Sequence, residues 1–125
     1  MSQVILIVDD AEECAASLEV ALQGLDGIEV RTARSAEEAL GALEAEPAVA
    51  ALITDLHLPV MDGFELVAHL RRDRRFRKLP IVVTSGDSDP ETPRRILRLG
   101  ADCFFAKPYS LNAVSQKLEE LLHAR

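Results

Sequence analysis

The chain has 125 residues, 48% hydrophobic and 28% charged, with a formal net charge of −7. That length suits one domain able to bury a core without staples, and the negative charge argues against general binding to nucleic acid or to an anionic membrane. Cys14 and Cys103 lack metal-ligand spacing and are expected as reduced thiols; no basic-then-apolar leader is present and the first apolar run is far too short to span a bilayer, so the expected location is cytoplasmic.

Val4 to Val8 is a continuous apolar run rich in β-branched residues, as expected of a strand covered on both faces. From Ala11 to Leu25, Cys14, Leu18, Ala21, Leu22 and Leu25 fall on one helical stripe. Asp26-Gly27 marks a turn. Ile28, Val30 and Thr32 then alternate with Glu29 and Arg31, the pattern of a half-exposed edge strand. Ser35 and Glu38 have capping-box spacing before a helix with Ala36, Ala39, Leu40 and Leu43 inward, running to about Glu46, where Pro47 stops it.

The rhythm repeats. Ala48 to Thr54 predicts a strand that Asp55 ends, and Pro59 with Asp62-Gly63 forces a turn. Gly63 to about Asp73 is a helix with Phe64, Val67 and Leu70 on one side, and Pro80 to Ser85 is a buried strand. Thr92 is expected to cap a short helix with Pro93 at its first position and Gly100 at its close. Cys103 to Ala106 is a fifth strand, and Ser110 caps a last helix with Leu111, Val114, Leu118, Leu121 and Leu122 inward.

Five strands alternating with five helices imply an α/β fold of parallel βαβ units. The edge character of the second strand predicts the flavodoxin-like order 2-1-3-4-5, with helices on both faces. Ligands of such sheets bind at the carboxyl ends of the strands, near the point where the order reverses. Asp9 and Asp10 follow strand one, and Asp55 ends strand three, on either side of that point. Either Asp9 or Asp10 alone would serve as a helix cap. Three converging carboxylates would instead repel one another unless a cation joins them, and magnesium, which prefers oxygen ligands and keeps several waters, suits them. Ser85 and Lys107 close the neighbouring strands and bring a hydroxyl and a mobile cation. A nucleophilic carboxylate, a metal site, a cation and a hydroxyl are what phosphoryl transfer to Asp requires.

With these pieces in this order, the chain resembles the receiver domain of two-component response regulators over residues 1–125. The resemblance rests on Asp9-Asp10, on Asp55 with Pro59 and Asp62-Gly63, on "PIVVTSG" ending at Ser85, and on "GADCFFAKP" with Lys107-Pro108. It implies that Asp55 accepts a phosphoryl group from a histidine kinase or a histidine phosphotransfer protein. It implies that Asp10, Asp55 and the backbone carbonyl of His57 bind magnesium, with Asp9 assisting through water. It makes Lys107 the phosphoryl contact, Ser85 the switch hydroxyl, and Phe104 the aromatic switch. It also implies a cis peptide before Pro108, and an output surface on helix 4, strand 5 and helix 5 that binds a downstream protein. His57 and Asp87 flank the phosphoryl site, where residues tune its lifetime.

Departures are visible. Many family members have Tyr where this chain has Phe104, which removes a phenolic hydroxyl. The switch strand ends Thr84-Ser85-Gly86 where Thr-Ala is common; strand alternation and spacing favour Ser85, with Thr84 as the fallback. His57 is otherwise an exposed loop histidine, and His69 and His123 have no evident partner. Arg71, Arg72, Arg74, Arg75, Arg77 and Lys78 are expected as a solvated helix end. Phe104-Phe105 is expected to pack the strand, with one ring outward. Two other functions stand beside this one: a phosphohydrolase with an aspartyl-phosphate intermediate, which shares the nucleophile and magnesium but for which His57 is the sole candidate acid and no cap segment is evident, and an unphosphorylated interaction module on the same fold, against which the full acidic set argues. FMN binding is disfavoured because Asp9-Asp10 would repel its phosphate.

Overall fold

The structure, a computed structural model, describes residues 3–123. Strands β1 (Gln3–Val8), β2 (Ile28–Ala33), β3 (Ala51–Asp55), β4 (Ile81–Ser85) and β5 (Cys103–Ala106) alternate with helices α1 (Glu12–Gln23), α2 (Ala36–Ala45), α3 (Gly63–Arg72), α4 (Glu91–Leu99) and α5 (Leu111–His123). A single 3-10 turn, Arg74–Phe76, follows α3. The sheet is parallel throughout with order β2-β1-β3-β4-β5, as the sequence predicts.

Alternation along each strand splits the core in two. Val4, Leu6, Val8, Leu52, Ile81 and Val83 face α2, α3 and α4, which contribute residues such as Leu43, Leu66 and Ile96. Ile5, Ile7, Ile53 and Val82 face α1 and α5 through Leu18, Leu22, Val114 and Leu118. Phe104 joins the first cluster and Phe105 the second, both half-buried. The expectation that one ring faces outward therefore fails, because helices cover both faces of β5. Leu111, expected inward, is exposed at the start of α5.

The register places the functional end. Val8 lies opposite Thr54, Asp55 opposite Thr84, and Ser85 opposite Ala106. The carboxyl ends of four neighbouring strands thus finish level, and Asp9 and Lys107 emerge one residue beyond.

Helix starts differ in how they follow the sequence. Ser35 Oγ accepts from the Glu38 N–H (3.1 Å), which is one half of the expected box. Ser110 Oγ likewise accepts from the Ala113 N–H (3.1 Å). The complete box instead opens α3, where Asp62 accepts from the Glu65 N–H and Glu65 from the Asp62 N–H. α4 begins earlier than expected: Pro90 is its cap residue and Thr92 lies within the first turn. The first-turn N–H groups have no intrahelical partner, so Pro93 is tolerated there as well as at the first position. Thr92 is buried, and its hydroxyl donates sideways to Asp87 Oδ2 (3.0 Å).

The basic run is not uniformly solvated. Arg71 turns inward and donates to Gly100 O (2.9 Å), Phe76 O (2.8 Å) and Asp102 Oδ2 (3.2 Å). Arg75 pairs with Asp73 and Glu44. Arg72, Arg74, Arg77 and Lys78 are exposed, as expected.

Gly63 is where backbone meets backbone. A Cβ there would lie 2.7 Å from Leu56 Cα and 3.0 Å from Asp55 O, and the Gly63 N–H donates to Leu56 O (2.7 Å). Gly63→Ala is expected to lose roughly 1–3 kcal/mol, the range for an overpacked site, in urea unfolding. An unchanged midpoint would show that the Asp55–Leu56 segment yields freely.

Candidate functional site

Asp55 ends β3 with its side chain 9% exposed. Its loop is tightly held. The Leu56 N–H donates to Thr84 O (2.9 Å), and the Thr54 hydroxyl donates to the Asp55 carbonyl (2.9 Å). Asp9 leaves β1 buried. Its Oδ1 accepts from the Ala11 N–H (2.9 Å), a local turn, and neither Asp9 nor Asp10 makes a side-chain cap to α1. Asp10 is exposed. Each of the three carboxylates offers an oxygen, and these oxygens all lie within 4.8 Å of one another.

Lys107 reaches the cluster from the end of β5. Its Nζ lies 3.4 Å from Asp55 Oδ1, 3.5 Å from Asp9 Oδ2 and 3.9 Å from Cys14 Sγ. The Lys107 N–H donates to Ser85 O (2.8 Å), tying the ends of β4 and β5 together. The Lys107-Pro108 peptide is cis, as the resemblance implies.

Burial raises the Asp55 pKa, and the Asp9 carboxylate adds to the rise; Lys107 opposes both without reversing them. Burial alone would lower the Lys107 pKa, yet Asp55 and Asp9 together raise it. Asp55 Oδ1 is buried, and although the ammonium stands at 3.4 Å it makes no hydrogen bond of proper geometry. An unanswered oxygen beside two further carboxylates fits a hard divalent cation, which takes oxygen ligands and relieves the crowding of negative charge.

Ser85 is fully buried at the end of β4, and its Oγ accepts from the Asp87 N–H (2.9 Å). Thr84 is also buried, opposite Asp55 in the register. His57 is exposed, with Nε2 3.9 Å from Asp87 Oδ2. That contact is the weaker of Asp87's attachments. The Asp89 N–H and the Thr92 hydroxyl do more to lower its pKa, and His57 adds to them. Phe104 lies apart, packed against the α2–α4 side of the core.

Two neighbours of Lys107 went unassigned in the sequence. Cys14 and Tyr109 line a cavity of about 540 Å³ with Glu13, Ser17, Lys107, Pro108 and Leu111. Cys14 stands one helical turn past Asp10, and this is the sole sequence signal that it approaches the site.

Known proteins can be set beside this geometry. A family model described as the response regulator receiver domain matches residues 5–119. The chain is 30% identical to Chemotaxis protein CheY1 of Helicobacter pylori, covering 94% of this chain and 95% of that one. It is 31% identical to Two-component response regulator ORR11 of Oryza sativa, covering 94% and 80%. Among solved structures, a putative response regulator from Chloroflexus aurantiacus superposes with a TM-score of 0.91 at 34% identity, covering 100% of both chains. Chemotaxis response regulator CheY4 of Vibrio cholerae gives 0.85 at 28% identity, covering 97% and 99%. Among the described residues, no helix is long and apolar enough to cross a membrane.

Proposed function

We propose a function from one premise: the chain belongs to the response regulator receiver family. It is a phosphorylation switch that takes a phosphoryl group onto Asp55 from a phosphohistidine of a kinase or phosphotransfer protein, and then changes the surface it offers to a downstream protein. The observation that carries this reading is the cluster of Asp9, Asp10 and Asp55 with Lys107 at 3.4 Å from Asp55.

In the transfer, an Asp55 carboxylate oxygen forms the new bond to phosphorus while the bond from phosphorus to the donor imidazole nitrogen breaks. The electron pair leaves with the imidazole, which takes up a proton. Asp10, Asp55 and the His57 carbonyl would hold magnesium, with Asp9 acting through water. When bound, the ion supplies charge neutralisation for the phosphoryl oxygens. Lys107, already between Asp9 and Asp55, brings a positive charge to the same oxygens. The Ser85 hydroxyl accepts from the Asp87 N–H, which leaves its own proton to donate to a phosphoryl oxygen. Phe104 is the ring whose packing would answer that movement.

The test is incubation with acetyl phosphate and magnesium followed by intact mass measurement. A single adduct, absent without magnesium, is the expected result. Turnover of phosphomonoesters with no adduct would instead indicate a hydrolase, and inertness an interaction module.

The His57–Asp87 contact bears on lifetime. Phosphoryl loss needs in-line attack by water, and a paired His57 and Asp87 would narrow that path. His57→Ala and Asp87→Ala are each expected to shorten the lifetime of the phosphorylated protein, with the double variant adding little, as coupled neighbours do. Fully additive effects, or none, would remove the pair from the path.

A further inference from the structure

Charge is segregated along this chain. Residues 71–98 hold nine of its 14 basic residues and four of its 21 acidic ones, a local net charge of +5, while the remainder carries −12. The fold gathers this basic segment onto the end of α3, the 3-10 turn and α4. Arg71 and Arg75 are engaged internally, whereas among the described residues no acid pairs with Arg72 or Arg98.

These free cations border apolar ground. A hollow of about 390 Å³ along α3 is lined by Met61, Phe64, Glu65, Ala68, His69 and Arg72. A second, of about 210 Å³, is lined by Arg95, Arg98 and Leu99. The Arg95 guanidinium stacks over the Phe64 ring at 4.2 Å and joins the two into one trough between α3 and α4. Glu65 is already committed to the α3 capping box. Val60, 91% exposed and held at φ 68°, extends the apolar surface beside Met61. This trough lies on the α3 side of α4, away from β5 and α5, and shares only α4 with the output surface the resemblance implies.

We propose that the α3–α4 trough binds an acidic amphipathic segment of a partner protein. Its apolar side chains would sit over Met61, Phe64 and Leu99, and its carboxylates against Arg72, Arg95 and Arg98, a helix-in-groove arrangement. Charge complementarity selects that occupant. A nucleic acid would meet the −12 of the surrounding chain. A second copy would have to offer a different, acidic face in a head-to-tail contact, in place of the self-complementary patch that commonly joins two copies. Binding in the trough requires no phosphoryl group, since no residue of the trough belongs to the carboxylate cluster.

The probe is a fluorescent synthetic helical peptide with a leucine stripe and glutamates at its other positions, offered to the unphosphorylated full chain. Arg98→Glu and Arg95→Glu are each expected to weaken its binding by about tenfold or more. Lys117→Glu makes the same charge change on α5 and is expected to leave binding intact. Amide shifts are expected over residues 61–72 and 94–99. Because Arg95→Glu also removes the stack on Phe64, Arg98→Glu, which does not, keeps the test valid. Absence of binding, equal binding of a lysine-for-glutamate peptide, tighter binding of an oligonucleotide, or self-association abolished by Arg98→Glu would each overturn the proposal.

Discussion

Asp55→Asn is expected to take up no phosphoryl group from acetyl phosphate, and to melt at a higher temperature than the parent protein at neutral pH without metal. The first half follows from chemistry: an amide oxygen lacks the charge that makes the carboxylate a nucleophile, and no other carboxylate ends β3. The second follows from electrostatics. The folded protein holds the Asp55 proton more tightly than the unfolded chain does, because burial and then the Asp9 charge outweigh the attraction of Lys107. Stability therefore falls as pH rises from the ordinary carboxylate value of 3.8 through the raised folded value, and the penalty is fully present above it. Asparagine has no such titration. The stability gap between variant and parent should open across that window and close in acid. Magnesium should narrow it from the other side by stabilising only the parent protein. Phosphorylation of the variant at the parental rate would displace Asp55 as acceptor, and a variant that melts lower at neutral pH would contradict the electrostatic account.

Arg71→Ala should be the most damaging surface-side substitution, although the sequence places this residue in a run of exposed bases. Its guanidinium fork spans three segments: the carbonyl of Phe76 at the end of the 3-10 turn, the carbonyl of Gly100 at the end of α4, and Asp102 just before β5. Gly100 has φ 119°, and a Cβ there would lie 2.8 Å from the Arg71 side chain, so the arginine is laid directly over the helix end. Truncation strips the Gly100 carbonyl of its side-chain donor, while the Phe76 carbonyl keeps the Leu79 N–H (3.2 Å) and Asp102 Oδ2 keeps the Ile81 N–H (2.7 Å). Asp102 is more than a third exposed, so its share is discounted for solvent. About 1–3 kcal/mol is the expected loss, or roughly 10 °C at most in melting temperature for a domain of this size. Arg71→Lys should recover little, since one ammonium cannot serve a three-way fork. A change below about 0.5 kcal/mol, the scale of ordinary surface substitutions, would show that the contacts are incidental.

How much of this was legible in the sequence depended on whether a residue's role is set nearby or far along the chain. The sheet order and the meeting of Asp9, Asp10, Asp55 and Lys107 follow from local signals, because parallel strands put their carboxyl ends at one edge and each residue ends or follows a strand. Arg71 was opaque for the opposite reason. Its neighbours in the run are equally basic, and two of its three acceptors lie 29 and 31 residues away. Cys14 and Lys107 are separated by 93 residues. The start of α4 is ambiguous in the sequence because neither Pro90 nor Pro93 needs an N–H donor in the first turn, and the Thr92 hydroxyl, which would suit a cap, serves Asp87 instead. Alternation at Phe104-Phe105 predicts one outward ring, but each ring packs half-buried against one of the two cores, a fact that lies in distant helices.

The level strand ends have a consequence for how the site comes apart. The three carboxylates leave β1 and β3, interior strands that are buried almost throughout, but the ammonium leaves β5, a four-residue strand paired on one side only and merely half-buried. Local opening begins where protection is least, so amide exchange should find β5 releasing before the centre of the sheet. A molecule open at that edge keeps its acids gathered and loses its counter-charge. Competence for chemistry is then a smaller cooperative unit than the fold, held by the weakest strand in it.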